Sequence, residues 1–62
     1  MCESTAFVKK NGNEEKILED VAMLKPEGSK IILTNILGET KEIEGTVDHI
    51  DLMNHKIVIL PK

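Results

Sequence analysis

The chain has 62 residues, 40% of them apolar, with 8 lysines against 11 acidic residues for a net charge of −3. That length holds one domain, residues 1–62, with a small interior, and domains of this size lean on disulfides, metals or self-association. A single cysteine excludes an intrachain disulfide, while the acidic balance, the lack of arginine and one lone aromatic, Phe7, argue against a nucleic-acid interface.

The start, Met1-Cys2-Glu3-Ser4, lacks the basic opening and long apolar stretch of a signal peptide. The longest apolar runs are Val21 to Leu24 and Ile57 to Leu60, far below the roughly 20 residues that cross a bilayer. A cytoplasmic location without membrane association is expected, and a lone reduced thiol fits it.

Turn residues divide the sequence into short segments. Asn11-Gly12 is a hairpin signal, because both central positions of a type I′ turn need positive φ. Pro26-Glu27-Gly28, Gly38-Glu39, Gly45 and Asn54-His55 mark the later turns. Isoleucine and valine supply 12 of the 25 apolar residues between these marks, and β-branching favours pleated sheet. Strands are expected at residues 2–9, 16–25, 30–37, 41–44, 46–53 and 56–60. In the second segment Ile17, Leu18, Val21 and Leu24 also fit helical spacing, yet the short length and flanking turns favour a strand broken near Glu19-Asp20. In the fifth, alternation places Asp48, Ile50 and Leu52 on one face and Val47, His49, Asp51 and Met53 on the other. Ile31-Ile32-Leu33 and Ile57-Val58-Ile59-Leu60 are apolar on both faces, which asks for cover on both sides and makes a homodimer the simplest expectation. The expected fold is all-β: a small barrel or strongly bent antiparallel sheet of five to six short strands.

Cys2 is the first candidate for chemistry. Its thiolate lies beside the Met1 amine and the intervening backbone nitrogen, so sulfur and nitrogen donors can close five-membered chelate rings. If Met1 is removed, the Cys2 amine and sulfur form one such ring. A planar nitrogen–sulfur set, doubled in a symmetric dimer, suits Ni(II) or Cu(II) better than tetrahedral zinc. Against this stands the plain alternative of a small residue at a frayed end. His49 and His55 are six residues apart, which is no recognised ligand spacing, and read equally well as a strand residue paired with a neighbour and a solvated turn residue. Asp48 and Asp51, on opposite faces, make a poor acid–base pair. The glycines are isolated turn residues rather than a phosphate loop, no serine sits in a nucleophile elbow, and Cys2 has no base assigned to it. The chain does not read as an enzyme. Lys9, Lys10 and Lys16 form the only local basic cluster, which leaves RNA binding as the second reading, with strand addition to a protein partner as a third.

Met1-Cys2, Asp20-Val21, Glu27-Gly28, Thr34 with Leu37, Gly45, Asp51-Leu52 and the closing segment from Ile57 to Leu60 recur in that order in a known family. On these residues the chain resembles the CooT family of small nickel-binding proteins, linked to maturation of nickel-dependent carbon monoxide dehydrogenase. The resemblance implies an SH3-like all-β homodimer with one Ni(II) held between Cys2 of both chains, Met1 serving as a nitrogen donor. It further implies that the nickel-enzyme maturation machinery or the apo-enzyme is the partner. Related sequences also carry the label of predicted RNA-binding proteins. The resemblance does not extend to His49 or His55.

Overall fold

The computed structural model describes residues 3–62, so Met1 and Cys2 lie outside the described residues. Five strands follow one another: β1 (Ser4–Lys10), β2 (Asn13–Glu27), β3 (Lys30–Asn35), β4 (Thr40–Asp51) and β5 (Lys56–Pro61). Each pairs with its successor in antiparallel fashion, and β5 returns to pair with β1, so that the sheet closes in a ring. The closing ladder is parallel, Thr5 to Val8 against Lys56 to Ile59, where an antiparallel sheet was expected. No described residue is helical, and none belongs to a helix long and apolar enough to cross a membrane.

The β1–β2 hairpin follows from two residues. Asn11 and Gly12 take φ of 51° and 81°, the paired positive values of a type I′ loop, whose twist matches that of the flanking strands. The segment with mixed helical and strand periodicity lies inside β2, which runs for 15 residues. Its bend falls where a break was expected. Asp20 has a φ of 57°, and the registers with β1 and β3 both shift around this point. The first part of β2 thereby pairs with β1 and the remainder with β3, from Val21 onward.

Gly45 does the same for β4. The expected segments at residues 41–44 and 46–53 are one strand of 12 residues rather than two short strands. Gly45 does not end it, because what this position needs is closeness. A Cβ there would sit 2.8 Å from the Pro61 Cα and overlap the Leu60 carbonyl oxygen. With only a hydrogen in the way, β4 turns from β3 onto β5, and the Gly45 N–H donates to the Ser29 carbonyl at 3.0 Å.

The ring encloses Ala6, Val8, Leu18, Val21, Ile31, Leu33, Ile57 and Ile59, with Ile17, Leu24, Ile43 and Val47 packed against them. Each fully buried aliphatic side chain of this kind is worth roughly 1.5–3 kcal/mol. The two segments that read as apolar on both faces do not require a second subunit for their cover. In β3, Ile31 and Leu33 point inward, and only Ile32 is left half-buried on the outside. In β5, Val58 must face outward because Ile57 and Ile59 face in, yet it is fully buried. It lies in the ladder between Phe7 and His49, and next to it Lys56 rests over the Phe7 ring at 5.2 Å while pairing with Glu14 at 2.5 Å. Leu60 remains 47% exposed.

Two substitutions check this account. Leu33→Ala, at a site with no exposure, should cost about 2–5 kcal/mol in denaturant unfolding by leaving a cavity. Gly45→Ala should cost about 1–3 kcal/mol or more, because the backbone of β5 has to move aside; an unchanged midpoint would mean that the close approach at Pro61 carries no weight.

Candidate functional site

Three places in the ring carry polar organisation, and each is built by a short-side-chain acid or amide. The first is the loop between β3 and β4. Asn35, 6% exposed, accepts hydrogen bonds through its side-chain oxygen from the N–H groups of Leu37 (3.0 Å) and Glu39 (2.8 Å), and its amide donates to the Glu39 carboxylate at 2.6 Å. The loop is anchored to the bend of β2 by the Ile36 N–H, which donates to the Asp20 carbonyl at 3.0 Å. Between loop and bend runs an open groove lined by Lys16, Leu18, Asp20, Asn35, Leu37 and Lys41. Its two lysines and its acids leave no dominant sign of charge, and Lys16 is already paired with Glu19.

The second place is the bulge of β4. The register with β5 shifts between Val47 and His49, and this extra residue overturns the strict alternation expected there. Asp48 and His49, assigned to opposite faces by period-2 counting, instead meet: the His49 Nδ1–H donates to Asp48 Oδ2 at 2.7 Å. That hydrogen bond, helped by the charges of Lys9 and His49 and opposed by slight desolvation, holds the Asp48 carboxyl below its ordinary range. The ring is thereby oriented with Nε2 outside the pair, and His49 is half exposed. Among the described residues no three His, Cys, Asp or Glu side chains come together in a way that could hold a metal ion.

The third place is the turn from β4 to β5. Asp51 Oδ1 accepts from the N–H groups of Met53 and Asn54, both at 3.1 Å, and Oδ2 accepts from the Asn54 amide at 2.8 Å. Those bonds, the Asn54 side chain foremost, lower the Asp51 pKa. His55 closes the turn with a φ of 53°, and its carbonyl accepts from the Thr5 N–H at 2.9 Å. The contribution of His55 to the fold is thus a backbone one. This bond also places the turn beside the start of β1, three residues after Cys2.

Met1 and Cys2, the two candidate ligands, lie outside the described residues. The basic cluster takes a different form from the one its sequence suggests. Lys9 stands opposite Glu14, which pairs with Lys56, Lys10 stands opposite Asn13, and Lys16 is bound to Glu19. The closed ring pairs β3 and β5 on both sides, while each half of β2 and of β4 has one partner strand. The loop-building roles of Asn35 and Asp51 were not singled out from sequence, although both residues stand directly before turn signals and each bonds to the backbone two residues on, which Asn and Asp favour.

A family model for CooT, described as a CO dehydrogenase accessory protein, matches residues 1–60. The chain belongs to the CooT family. Its ring superimposes on the crystal structure of a protein provisionally named CooT from Carboxydothermus hydrogenoformans with a TM-score of 0.91, at 33% identity and with 98% of each chain covered. Two uncharacterized archaeal proteins are similar in sequence. One, from Archaeoglobus fulgidus, is 40% identical over 42 residues, which are 68% of this chain and 93% of the relative. The other, from Methanocaldococcus jannaschii, is 38% identical over 47 residues, 76% of this chain and 82% of the relative. The all-β CooT family supplies an accessory protein to CO dehydrogenase, a helper of that enzyme's function rather than its catalyst.

The turn gives a pH test with a defined sign. A lowered carboxyl pKa stabilises the fold above the ordinary carboxylate value and loses that contribution as pH falls through the lowered one. The amide shifts of Met53 and Asn54, followed by NMR, should therefore move together as pH falls below about pH 4. In Asp51→Ala that transition should vanish; its persistence would assign it to another group.

Proposed function

We propose that this CooT protein is a cytoplasmic nickel carrier for the maturation of CO dehydrogenase, and that it works as a homodimer holding one Ni(II) between Cys2 of both chains. The observation that carries the reading is the family match, which begins at residue 1 and so includes the only cysteine of the sequence. The chemistry of the donors agrees with it. A thiolate with amine and backbone nitrogens beside it is a soft, low-charge set that favours Ni(II), and two copies of it complete four-coordination. Met1 provides the nitrogen when it is retained. The ion is cargo in this reading, and the protein's task is to bind and release it. Protons compete with the metal for thiolate and amine, so acid weakens binding.

The ring suits this division of labour. Its interior is filled by aliphatic side chains, and among the described residues no three His, Cys, Asp or Glu come together, which agrees with ligands that precede β1. RNA binding is less well supported, because a backbone-tracking surface needs an excess of positive charge, and here the net charge is −3 and Lys16 of the small basic cluster is paired with Glu19.

Nickel titration of the reduced protein, read by sulfur-to-nickel charge-transfer absorption and native mass spectrometry, tests the proposal. One ion per two chains is expected, with the band lost as pH falls below the thiolate range. Cys2→Ser should lower affinity by about a hundredfold or more while leaving the circular dichroism of the ring unchanged. Unaltered nickel affinity in that variant would remove Cys2 from the site. His49→Ala, in contrast, should leave the stoichiometry as it is.

A further inference from the structure

The chain has four asparagines and no glutamine, and the surroundings of the four differ. Asn35 is buried, its side-chain oxygen accepts from the Leu37 and Glu39 N–H groups, and its amide donates to the Glu39 carboxylate. The backbone nitrogen that follows it, on Ile36, is held by the Asp20 carbonyl. Asn54 donates its amide to Asp51 and precedes His55, while Asn13 stands in the β1–β2 ladder opposite Lys10 and precedes Glu14. Asn11 differs on each count. It is exposed, and it precedes Gly12, which lies outside both strands and so spends its N–H on no ladder bond.

We propose that Asn11-Gly12 is a site of spontaneous deamidation, with water as the only co-reactant, and that its isoaspartyl product loosens the β1–β2 hairpin. The Gly12 backbone nitrogen attacks the Asn11 side-chain carbonyl carbon and gives up its proton. The bond from that carbon to the amide nitrogen breaks, ammonia leaves, and a five-membered succinimide ring remains. Attack requires the chain to turn about the Asn11 Cα–C bond until the Gly12 nitrogen meets the side chain. A Cβ at position 12 would have nothing within 4 Å, so the segment has open space in which to swing, and glycine brings no side chain to block the approach. Water then opens the ring at either carbonyl. Opening at the former side-chain carbon gives aspartate, and opening at the main-chain carbonyl gives isoaspartate, whose backbone runs on through the side-chain carbon. In sum one amide and one water become a carboxylate and an ammonium ion, with no change of oxidation state.

The two products act differently on the fold. Asp-Gly suits a type I′ loop as Asn-Gly does, so aspartate adds a negative charge and leaves the turn in place. Isoaspartate puts an extra atom into the backbone of a two-residue loop, and loop length sets the register of a hairpin. The strain falls on the Lys10–Asn13 and Lys9–Glu14 pairs. Glu14 also pairs with Lys56, which rests over the Phe7 ring, so the change reaches the outer cover of β5.

The test is incubation of the full, reduced chain at pH 8 and in parallel at pH 6, then proteolysis in mildly acidic buffer and peptide mass spectrometry. Replacement of the amide NH2 by OH should appear at Asn11 at least tenfold faster than at Asn13, Asn35 or Asn54, and faster at pH 8 than at pH 6. A protein isoaspartate methyltransferase with labelled S-adenosylmethionine should label the incubated protein. Asn11→Gly, which keeps a pair suited to the loop, should lose both the mass change at this position and the label. The isoaspartyl fraction, separated by ion exchange, should unfold at a lower denaturant concentration than fresh protein, whereas Asn11→Asp should match fresh protein. An Asn11 that persists unchanged, or changes no faster than Asn13, would overturn the site. An isoaspartyl fraction as stable as fresh protein would overturn its effect on the hairpin.

Discussion

In a sheet of five strands, the two outermost ones each leave a row of unpaired backbone groups, and in a chain of this length there is no helix or second layer to cover them. The parallel ladder between β1 and β5 removes both edges at once. Everything else in the ring serves that closure. Five strands can meet only if some change direction sharply, so β2 pivots at Asp20 and β4 at Gly45, each serving two neighbours in turn. The closing strand, β5, then runs between β1 and β4 and carries the most buried stretch of the chain, Ile57, Val58 and Ile59. Closure pairs β3 and β5 on both sides, and backbone without a second partner strand is left on the halves of β2 and β4 on either side of their pivots.

Closure sets where polar chemistry can occur. The interior admits only aliphatic groups, so Asn35, Asp48 and Asp51 all act at turns or bulges, where backbone N–H groups or a neighbouring side chain need acceptors. Two of these three spend their hydrogen bonds on shaping loops. Their carboxylates and amides are taken up in this way, and no three His, Cys, Asp or Glu come together to hold a metal among the described residues. Organisation of this kind is structural: it shapes the loops that join β3 to β4 and β4 to β5.

Much of the fold was legible in the sequence, for reasons that are local. Asn11-Gly12, Pro26-Glu27-Gly28 and Asn54-His55 specify turns through φ alone, so the spaces between them had to be strands. Asp20 was readable as a break because a charged pair interrupts the apolar run of β2. The merger of two expected strands at Gly45 was not readable, since the same glycine that ends a strand elsewhere here permits the approach of Leu60 and Pro61, a contact between residues distant in sequence. Nor does periodicity carry information about which strands pair or in which direction, and so the parallel closure was missed. A single inserted residue between Val47 and His49 was enough to bring Asp48 and His49 together against the alternation. The candidate site fared differently. Cys2 stood out by chemistry and by its place in the family pattern, neither of which depends on the fold, whereas the loop-building roles of Asn35 and Asp51 depend on backbone N–H groups that only the folded loops bring to them.

A metal site built inside the ring could open only by breaking the β1–β5 ladder, at the expense of much of the core. The proposed carrier avoids that expense, because a site shared by two copies opens when the copies part. In such a design the affinity of the pair for its ion is coupled to the affinity of the copies for each other: the ion strengthens the dimer, and dilution weakens the hold on the ion.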